Sequence, residues 1–182
     1  MRYFIRRRVP PFSRILLVES GSRGLFEELL KGLYDVHPDM RADLVTCYAG
    51  EPRNFRTDRG CVYRVTDYPN RGERKKLYRI LADNHYTIVG IICSDEPIMT
   101  KWKWVLAVRL PAKIFILNEN VDYFWLDRGH LSNIRHFVFF RAGLTGAGAV
   151  RTLTRLAVFP LALLYLILYA ATVHLRRKLR TL

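Results

Sequence analysis

Residues 14–20, with the sequence RILLVES, decide the fold of this chain. Four consecutive aliphatic side chains end at a glutamate and a serine, which is typical of a strand buried on both faces of a sheet. The next four residues, GSRG at 21–24, favour a turn, and residues 25–36 carry apolar side chains at helical spacing until Pro38. The sequence therefore predicts a central strand, a turn and a helix.

The same alternation continues along the chain. We predict further strands and helices, in the order strand 43–48, strand 61–68, helix 73–85, strand 87–93, helix 99–110, strand 113–117 and a short strand at 123–126. Strands that alternate with helices form right-handed crossovers and a mostly parallel sheet. The expected fold class is a Rossmann-like α/β domain with flanking helices over residues 14–127, preceded by a basic arm at 1–13.

The charge of the chain is strongly positive and unevenly placed. The formal net charge is +14, with five arginines in the first 14 residues. From Arg128 onward there are nine Arg or Lys residues and no Asp or Glu. Because these cations flank a hydrophobic segment and no nucleic-acid motif is present, we expect anionic lipid as the partner and no nucleic acid.

The hydrophobic segment covers residues 156–173, which are 18 residues without a charge. A helix of that length spans ~27 Å, close to the hydrocarbon core of a bilayer. We expect a membrane helix over 153–175 and a basic tail at 176–182. Cations at both ends leave a single span and a monotopic helix as alternatives, with the bulk of the domain cytoplasmic.

Residues 128–152 are too charged to span, and they predict an interfacial collar with aromatic rings at headgroup depth. An ordinary amphipathic collar without further function is the simpler interpretation. The cations expected at the membrane surface are Arg135, Arg141, Arg151, Arg155, Arg176, Arg177, Lys178 and Arg180.

The cysteines point to free thiols in a reducing compartment. Cys47, Cys61 and Cys93 are odd in number and form no CxxC pair. The spacing of ligands that zinc requires is absent, and we see no haem signature.

Three polar stretches follow the apolar strands directly. Because ligands bind at the carboxyl ends of the strands in an open parallel sheet, we expect these stretches to share one rim. Their carboxylates could hold Mg²⁺, act as a general base or bind sugar hydroxyls, or the stretches could simply form turns and helix caps. They comprise Glu19, Ser20 and Gly21, then Ser94, Asp95 and Glu96, then Asn118, Glu119 and Asn120.

The turn at Gly21, Ser22, Arg23 and Gly24 leads from a strand into a helix, so its backbone N–H groups could seat a phosphate. Neither GxGxxG nor GxxxxGK is present, and two glutamates at 27–28 are expected in the first helical turn, where they would repel an anion.

Two further stretches combine charge with aromatic rings. Residues 101–104, KWKW, could grip headgroups or a base, although a helix that packs one Trp inward is the commoner arrangement. In DYFWLDRGH at 122–130, Asp127 and His130 could form an acid–base pair.

The sequence order resembles the N-terminal half of GT-B glycosyltransferases, and the heptosyltransferase-like group most of all. The matching segments are RILLVESGSRGLFEELL at 14–30, LADNHYTIVGIIC at 81–93 and LPAKIFILNEN at 110–120. The resemblance implies an acceptor-side domain. In that family a second Rossmann domain binds the nucleotide-sugar, and split members recruit it as a separate partner.

Two functions are therefore expected. The first is a membrane-anchored acceptor-side module that works with a partner subunit in transferring sugar to a lipid-linked acceptor. The second is a non-catalytic accessory or scaffolding subunit of a larger membrane complex. A small stand-alone enzyme that uses the acidic rim and a metal is a third, weaker alternative.

Overall fold

The computed structural model describes residues 8–94, 96–118, 122–145 and 147–180, of which 147–148 and 175–180 are described by their backbone alone. The chain divides into two compact units, Met1–Leu131 and Ser132–Leu182.

The first unit is a mixed α/β domain. Its elements are β1 Arg14–Val18, α1 Arg23–Val36, β2 Arg41–Thr46, β3 Val62–Arg64, α2 Arg71–Asp83, β4 Ile88–Ile92, α3 Thr100–Arg109, β5 Lys113–Leu117 and β6 Tyr123–Trp125. The six strands form one sheet in the order β3-β2-β1-β4-β5-β6. All neighbours are parallel except β6, which runs antiparallel to β5. The predicted Rossmann-like, mostly parallel sheet is confirmed, and its strand order is the one found in dinucleotide-binding folds.

The central position of β1 explains its composition. Ile15, Leu16, Leu17 and Val18 are fully buried because strands pair with β1 on both edges and helices cover its faces. On one face α1 packs Phe26, Leu30 and Tyr34 into the main core cluster. On α2 and α3 the buried apolar positions include Leu77, Leu81 and Leu106.

Two helices begin earlier than the sequence predicts. The N-cap residues of α1 and α2 are Ser22 and Asn70, both in extended conformation, so each helix begins two residues before the expected position. As a result Glu27 and Glu28 lie in the second turn of α1, and the first turn contains no acidic residue.

Strand β3 is shorter than predicted. It spans only Val62–Arg64 because its partner β2 ends at Thr46, which pairs with Arg64. Beyond that point no neighbouring strand remains for the backbone, and Val65–Asp67 turns into a 3₁₀ helix. The pattern of residues 61–68 gives the conformation of the strand but not the length of its partner.

Helix α4 Leu131–Arg141 begins at the last residue of the first unit and otherwise belongs to the second, which also contains α5 Ala147–Arg180. Within α5, Ala149–His174 is long and apolar enough to cross a membrane, judged by length and composition, and none of its most apolar window is buried by the protein itself. The aromatic side chains expected in the collar lie on α4, where Phe139 and Phe140 are exposed.

Candidate functional site

The carboxyl ends of β1 and β4 form the candidate site. These two strands are neighbours, and the chain leaves them in opposite directions across the sheet, to β2 through α1 and to β5 through α3. Such a reversal opens a crevice between the two strand ends, where ligands bind in sheets of this type. Residues 19–24 line the β1 side of this crevice, and residues 93–96 follow the end of β4.

On the β2 side of the crevice, Glu19 is completely buried and both of its oxygens accept hydrogen bonds. Oε1 accepts from Arg23 Nε at 2.9 Å, while Oε2 accepts from Arg23 Nη2 at 3.3 Å and from Thr46 Oγ1 at 2.5 Å. The hydrogen bond to Glu19 raises the pKa of Arg23. This carboxylate therefore stabilises the turn between β1 and α1, and it offers no unoccupied oxygen to a metal or a substrate.

Arg23 also contacts the loop after β2 and so links that loop to the turn between β1 and α1. Its Nη1 donates to the carbonyl of Ala49 at 3.1 Å, and its guanidinium lies 5.0 Å from the ring centre of Tyr48. The Tyr48 hydroxyl donates to the carbonyl of Gly21 at 3.1 Å, and burial raises the pKa of Tyr48. With its charge compensated by Glu19, Arg23 is poorly placed to hold the phosphate that the turn suggested.

The β4 side of the crevice carries different chemistry. Ser20 Oγ donates to the carbonyl of Ile92 at 2.7 Å, and Lys103 Nζ donates to the same oxygen at 3.2 Å. A Cβ atom on Gly21 would lie 2.4 Å from Ile92 Cγ2 and 3.0 Å from Ser94 Oγ, so only glycine permits this close approach. Ser94 Oγ is buried and makes no hydrogen bond within the part of the chain that the structure describes.

The structure describes some, but not all, of the other residues predicted at the rim. Asp95, Glu119 and Asn120 lie outside the described residues, and Glu96 is exposed. Asn118 closes the turn between β5 and β6, because its Oδ1 accepts from Asp122 N at 2.9 Å. Ser22 caps α1 by its backbone conformation without a side-chain bond, and Gly24 is exposed.

The described side chains do not form a magnesium site. Among residues 8–94, 96–118 and the later described ranges, no group of three or more His, Cys, Asp or Glu side chains is placed to hold a metal ion. The one rim carboxylate buried there, Glu19, is already occupied.

Asp127 and His130 do lie together, as the sequence suggested they could. Asp127 Oδ1 accepts from His130 Nδ1 at 2.8 Å and from Gly129 N at 2.9 Å. Its Oδ2 accepts from Lys113 Nζ at 2.6 Å, and both groups of this ion pair are buried. Burial raises the pKa of Asp127, but the hydrogen bonds from Lys113 and His130 outweigh it, so the net pKa is lowered.

Lys113 is the first residue of β5, so this cluster lies at the amino edge of the parallel sheet, opposite the crevice. Asp127 also caps the 3₁₀ helix Arg128–His130. The arrangement therefore fixes the end of the first unit, and the crevice chemistry does not involve it.

A second buried network, centred on Asp43, lies at the same amino edge. Asp43 accepts from Tyr86 Oη at 2.6 Å, from Cys61 N at 2.8 Å and from Arg14 Nη2 at 3.5 Å. Burial raises the pKa of Tyr86, and the bond to Asp43 adds to this. Sequence reasoning missed this network, because Asp43 appears only as the polar residue at the start of a predicted strand.

The remaining predicted groups are placed as follows. The three cysteines lie in the described ranges and form no disulfide; Cys93 is buried, Cys47 is half-buried and Cys61 is exposed. In the KWKW stretch, the ring centre of Trp102 lies 5.5 Å from that of Tyr78 on α2, while Trp104 is exposed.

Of the expected membrane-surface cations, Arg135, Arg151 and Arg155 are exposed and Arg141 is half-buried. Arg176, Arg177, Lys178 and Arg180 lie on the last turns of α5, where only the backbone is described.

Comparison of the chain with protein-family models, with curated proteins and with solved structures found no match.

Proposed function

We propose that this chain is a membrane-anchored binding module that presents a lipid-linked acceptor to a partner subunit, which transfers sugar to it. The observation that carries the proposal is the presence, in one chain, of a switch-point crevice and an apolar helix of 26 residues. A body anchored in this way meets lipid-borne ligands at the membrane surface, with its sheet domain on the cytoplasmic side.

The chemistry of the crevice favours binding over catalysis by this chain alone. The buried carboxylate at its edge, Glu19, accepts hydrogen bonds from Arg23 and Thr46. Among the described residues on the β4 side, Glu96 is exposed, Ser94 Oγ makes no hydrogen bond, and Lys103 contributes an ammonium group. Hydroxyl and ammonium groups bind and orient a polar ligand, while a nucleotide-sugar and the residues that activate it must come from a partner.

The cations of the second unit support a membrane-surface position. Exposed Arg135, Arg151 and Arg155 would each gain about 1 kcal/mol beside anionic headgroups. They lie close in sequence to the apolar part of α5, so the same segment supplies both hydrophobic and electrostatic affinity.

A different observation favours the second function, an accessory subunit that docks other proteins. An apolar groove of about 500 Å³ lies between α1 and the outer strands β5 and β6. Leu29, Leu33, Phe115, Leu117 and Trp125 line it. In this role the sheet domain would serve as a docking surface, and the crevice would bind no ligand.

Extraction of the full chain from its native membranes in mild detergent, followed by mass analysis and a transfer assay, separates the two functions. The acceptor-module proposal expects a co-purifying protein that binds nucleotide-sugar, and sugar transfer to a lipid phosphate that requires both chains. A large integral-membrane assembly without transfer activity would support the accessory subunit instead. Transfer by the purified chain alone would overturn both.

A further inference from the structure

Lys103 is a buried cation without a counter-ion in the part of the chain that the structure describes. Only 5% of the residue is exposed, and its Nζ bonds the carbonyl of Ile92 at 3.2 Å. No described carboxylate lies within ion-pair distance of it, in contrast to Lys113, whose Nζ lies 2.6 Å from Asp127. A carbonyl carries only a partial negative charge, so it does not offset the several kcal/mol that a buried ammonium loses by leaving water.

The Ile92 carbonyl that accepts from Lys103 is shared with a second donor. Ser20 Oγ donates to the same Ile92 carbonyl at 2.7 Å. Ser94 Oγ is buried without a hydrogen-bond partner among the described residues, and it would lie only 3.0 Å from a Cβ atom on Gly21. Within the described residues, a cation without a carboxylate partner and a hydroxyl without a hydrogen bond lie beside the same strand end, an arrangement that a negatively charged group would complete.

The start of α1 adds to the same preference. Gly21 directly precedes the N-cap Ser22, whose side chain makes no capping bond, and the first turn contains no acidic residue. The first N–H groups of α1 therefore receive no capping bond from the Ser22 side chain, and the helix dipole favours an anion there. Two described carboxylates lie at this edge: Glu19 is neutralised by Arg23 on the other side of β1, and Glu96 is exposed.

We propose that the crevice between β1 and β4 binds a phosphate group, with Lys103 Nζ as its charge partner and Ser94 Oγ as a hydrogen-bond donor. A phosphate has three or more oxygens that can accept from an ammonium, a hydroxyl and helix N–H groups together. The inference rests on the proposed function only for the identity of the molecule that carries the phosphate. If the chain presents a lipid-linked acceptor, that molecule is a lipid phosphate; the other source of the same group is a nucleotide.

The test is thermal unfolding of the purified full chain in detergent, titrated with inorganic phosphate against chloride at equal ionic strength. We expect a saturable rise in Tm for the native chain. Lys103→Met is close in volume and removes the charge, so it should abolish the rise while keeping, or increasing, the Tm without phosphate. The matched control is Lys101→Met, an exposed position on the same helix, which should respond like the native chain.

Ser94→Ala provides a second variant that keeps the buried charge. It should weaken phosphate binding by about tenfold, as expected for the loss of one hydrogen bond. An equal response of the native chain and Lys103→Met would overturn the proposal, and so would no saturable response of the native chain. A lower Tm for Lys103→Met without phosphate would also overturn it, because the ammonium would then have an internal counter-ion.

Two further titrations distinguish the sources of the phosphate. An alkyl phosphate in mixed micelles that binds at least tenfold more tightly than a nucleoside diphosphate would identify a lipid phosphate, and the reverse order would identify a nucleotide. Because these measurements use the purified chain without any partner, failure of the sugar-transfer proposal leaves their outcome unchanged. Equally, loss of phosphate binding would not affect which proteins co-purify.

Discussion

At the scale of single residues, two of the five candidate carboxylates, Glu19 and Asp127, are occupied by internal hydrogen bonds. Glu19 is completely buried and binds Arg23 and Thr46, while Asp127 binds Lys113 and His130. In both cases the neighbouring donors satisfy the lone pairs of the carboxylate, which is what allows a charge to be buried. Their removal should therefore affect stability first.

For Glu19 the informative variant is Glu19→Gln, which keeps the shape and removes the charge. Charge-assisted hydrogen bonds are worth about 1.5–3 kcal/mol, so we expect the free energy of unfolding to fall by about 2 kcal/mol. Urea denaturation of the full chain in detergent measures this. Glu28→Gln, at an exposed position of α1, should change stability by less than about 0.5 kcal/mol. A fully stable Glu19→Gln that loses transfer activity would instead give this carboxylate a role in catalysis.

For Asp127 the pH dependence is the sharper test. Its folded pKa lies below the ordinary value of 3.8, so its stabilisation is complete above that value and disappears as pH falls through the lower folded pKa. Asp127→Asn removes the carboxylate from the buried ion pair with Lys113 and should cost about 3–5 kcal/mol at neutral pH. The difference between native chain and variant should narrow in acid when unfolding is followed from pH 6 to pH 3. A difference that is constant over this range would contradict the assigned pKa shift.

At the scale of elements, the packing of β4 against β5 depends on one glycine. Gly90 pairs with Phe115 in the register of the two strands and with Leu17 on the other side. A Cβ at Gly90 would lie 2.4 Å from Phe115 Cζ and 2.8 Å from Leu17 Cδ2. The phenylalanine ring thus occupies the space that any other residue at position 90 would need.

Gly90→Ala should destabilise the chain by about 1–3 kcal/mol, because the ring and the strand must move apart. Adding Phe115→Leu should restore part of that loss, since the smaller side chain leaves room for the methyl group. The control is Gly32→Ala on α1, where nothing lies within 4 Å of the added Cβ. There the same change should stabilise by about 0.5–1 kcal/mol, because alanine is the better helix former. Similar costs at both positions would show that steric overlap is not the cause.

The sequence predicted the elements better than their contacts. Apolar runs identify β1 and β4, and the strand-end rule places Ser20 and Ser94 at one crevice, because both follow from local patterns. Whether Glu19 is exposed depends instead on Thr46, a residue of the neighbouring strand whose position follows from the register of β1 with β2. The KWKW alternation likewise hides which lysine is buried, since only the packing of α3 on the sheet selects Lys103.

At the scale of the whole molecule, the two units differ in the surface they expose. The first unit buries most of its large apolar side chains in a core, with exceptions such as Val36 and Val108, whereas α5 exposes nearly all of its own between Leu153 and Tyr169. Contiguous apolar surface of that extent is unfavourable in water, so a surrounding lipid phase or a protein partner must cover it. The absence of charge in residues 156–173 and the cations beyond both ends favour lipid.

The membrane assignment is tested by two charges placed in the middle of α5. Leu161 and Leu164 are both exposed within Ala149–His174, and an arginine at the centre of a spanning helix costs about 2.5–3.5 kcal/mol. The double variant Leu161→Arg and Leu164→Arg should therefore lose about 5–7 kcal/mol of insertion free energy and be released from membranes by alkaline carbonate. The native chain should resist this extraction, and so should the double variant to alanine, since alanine keeps the helix and adds no charge. Release of the native chain by carbonate would mean that a protein surface covers α5, and the accessory-subunit function would then be favoured over the anchored acceptor module.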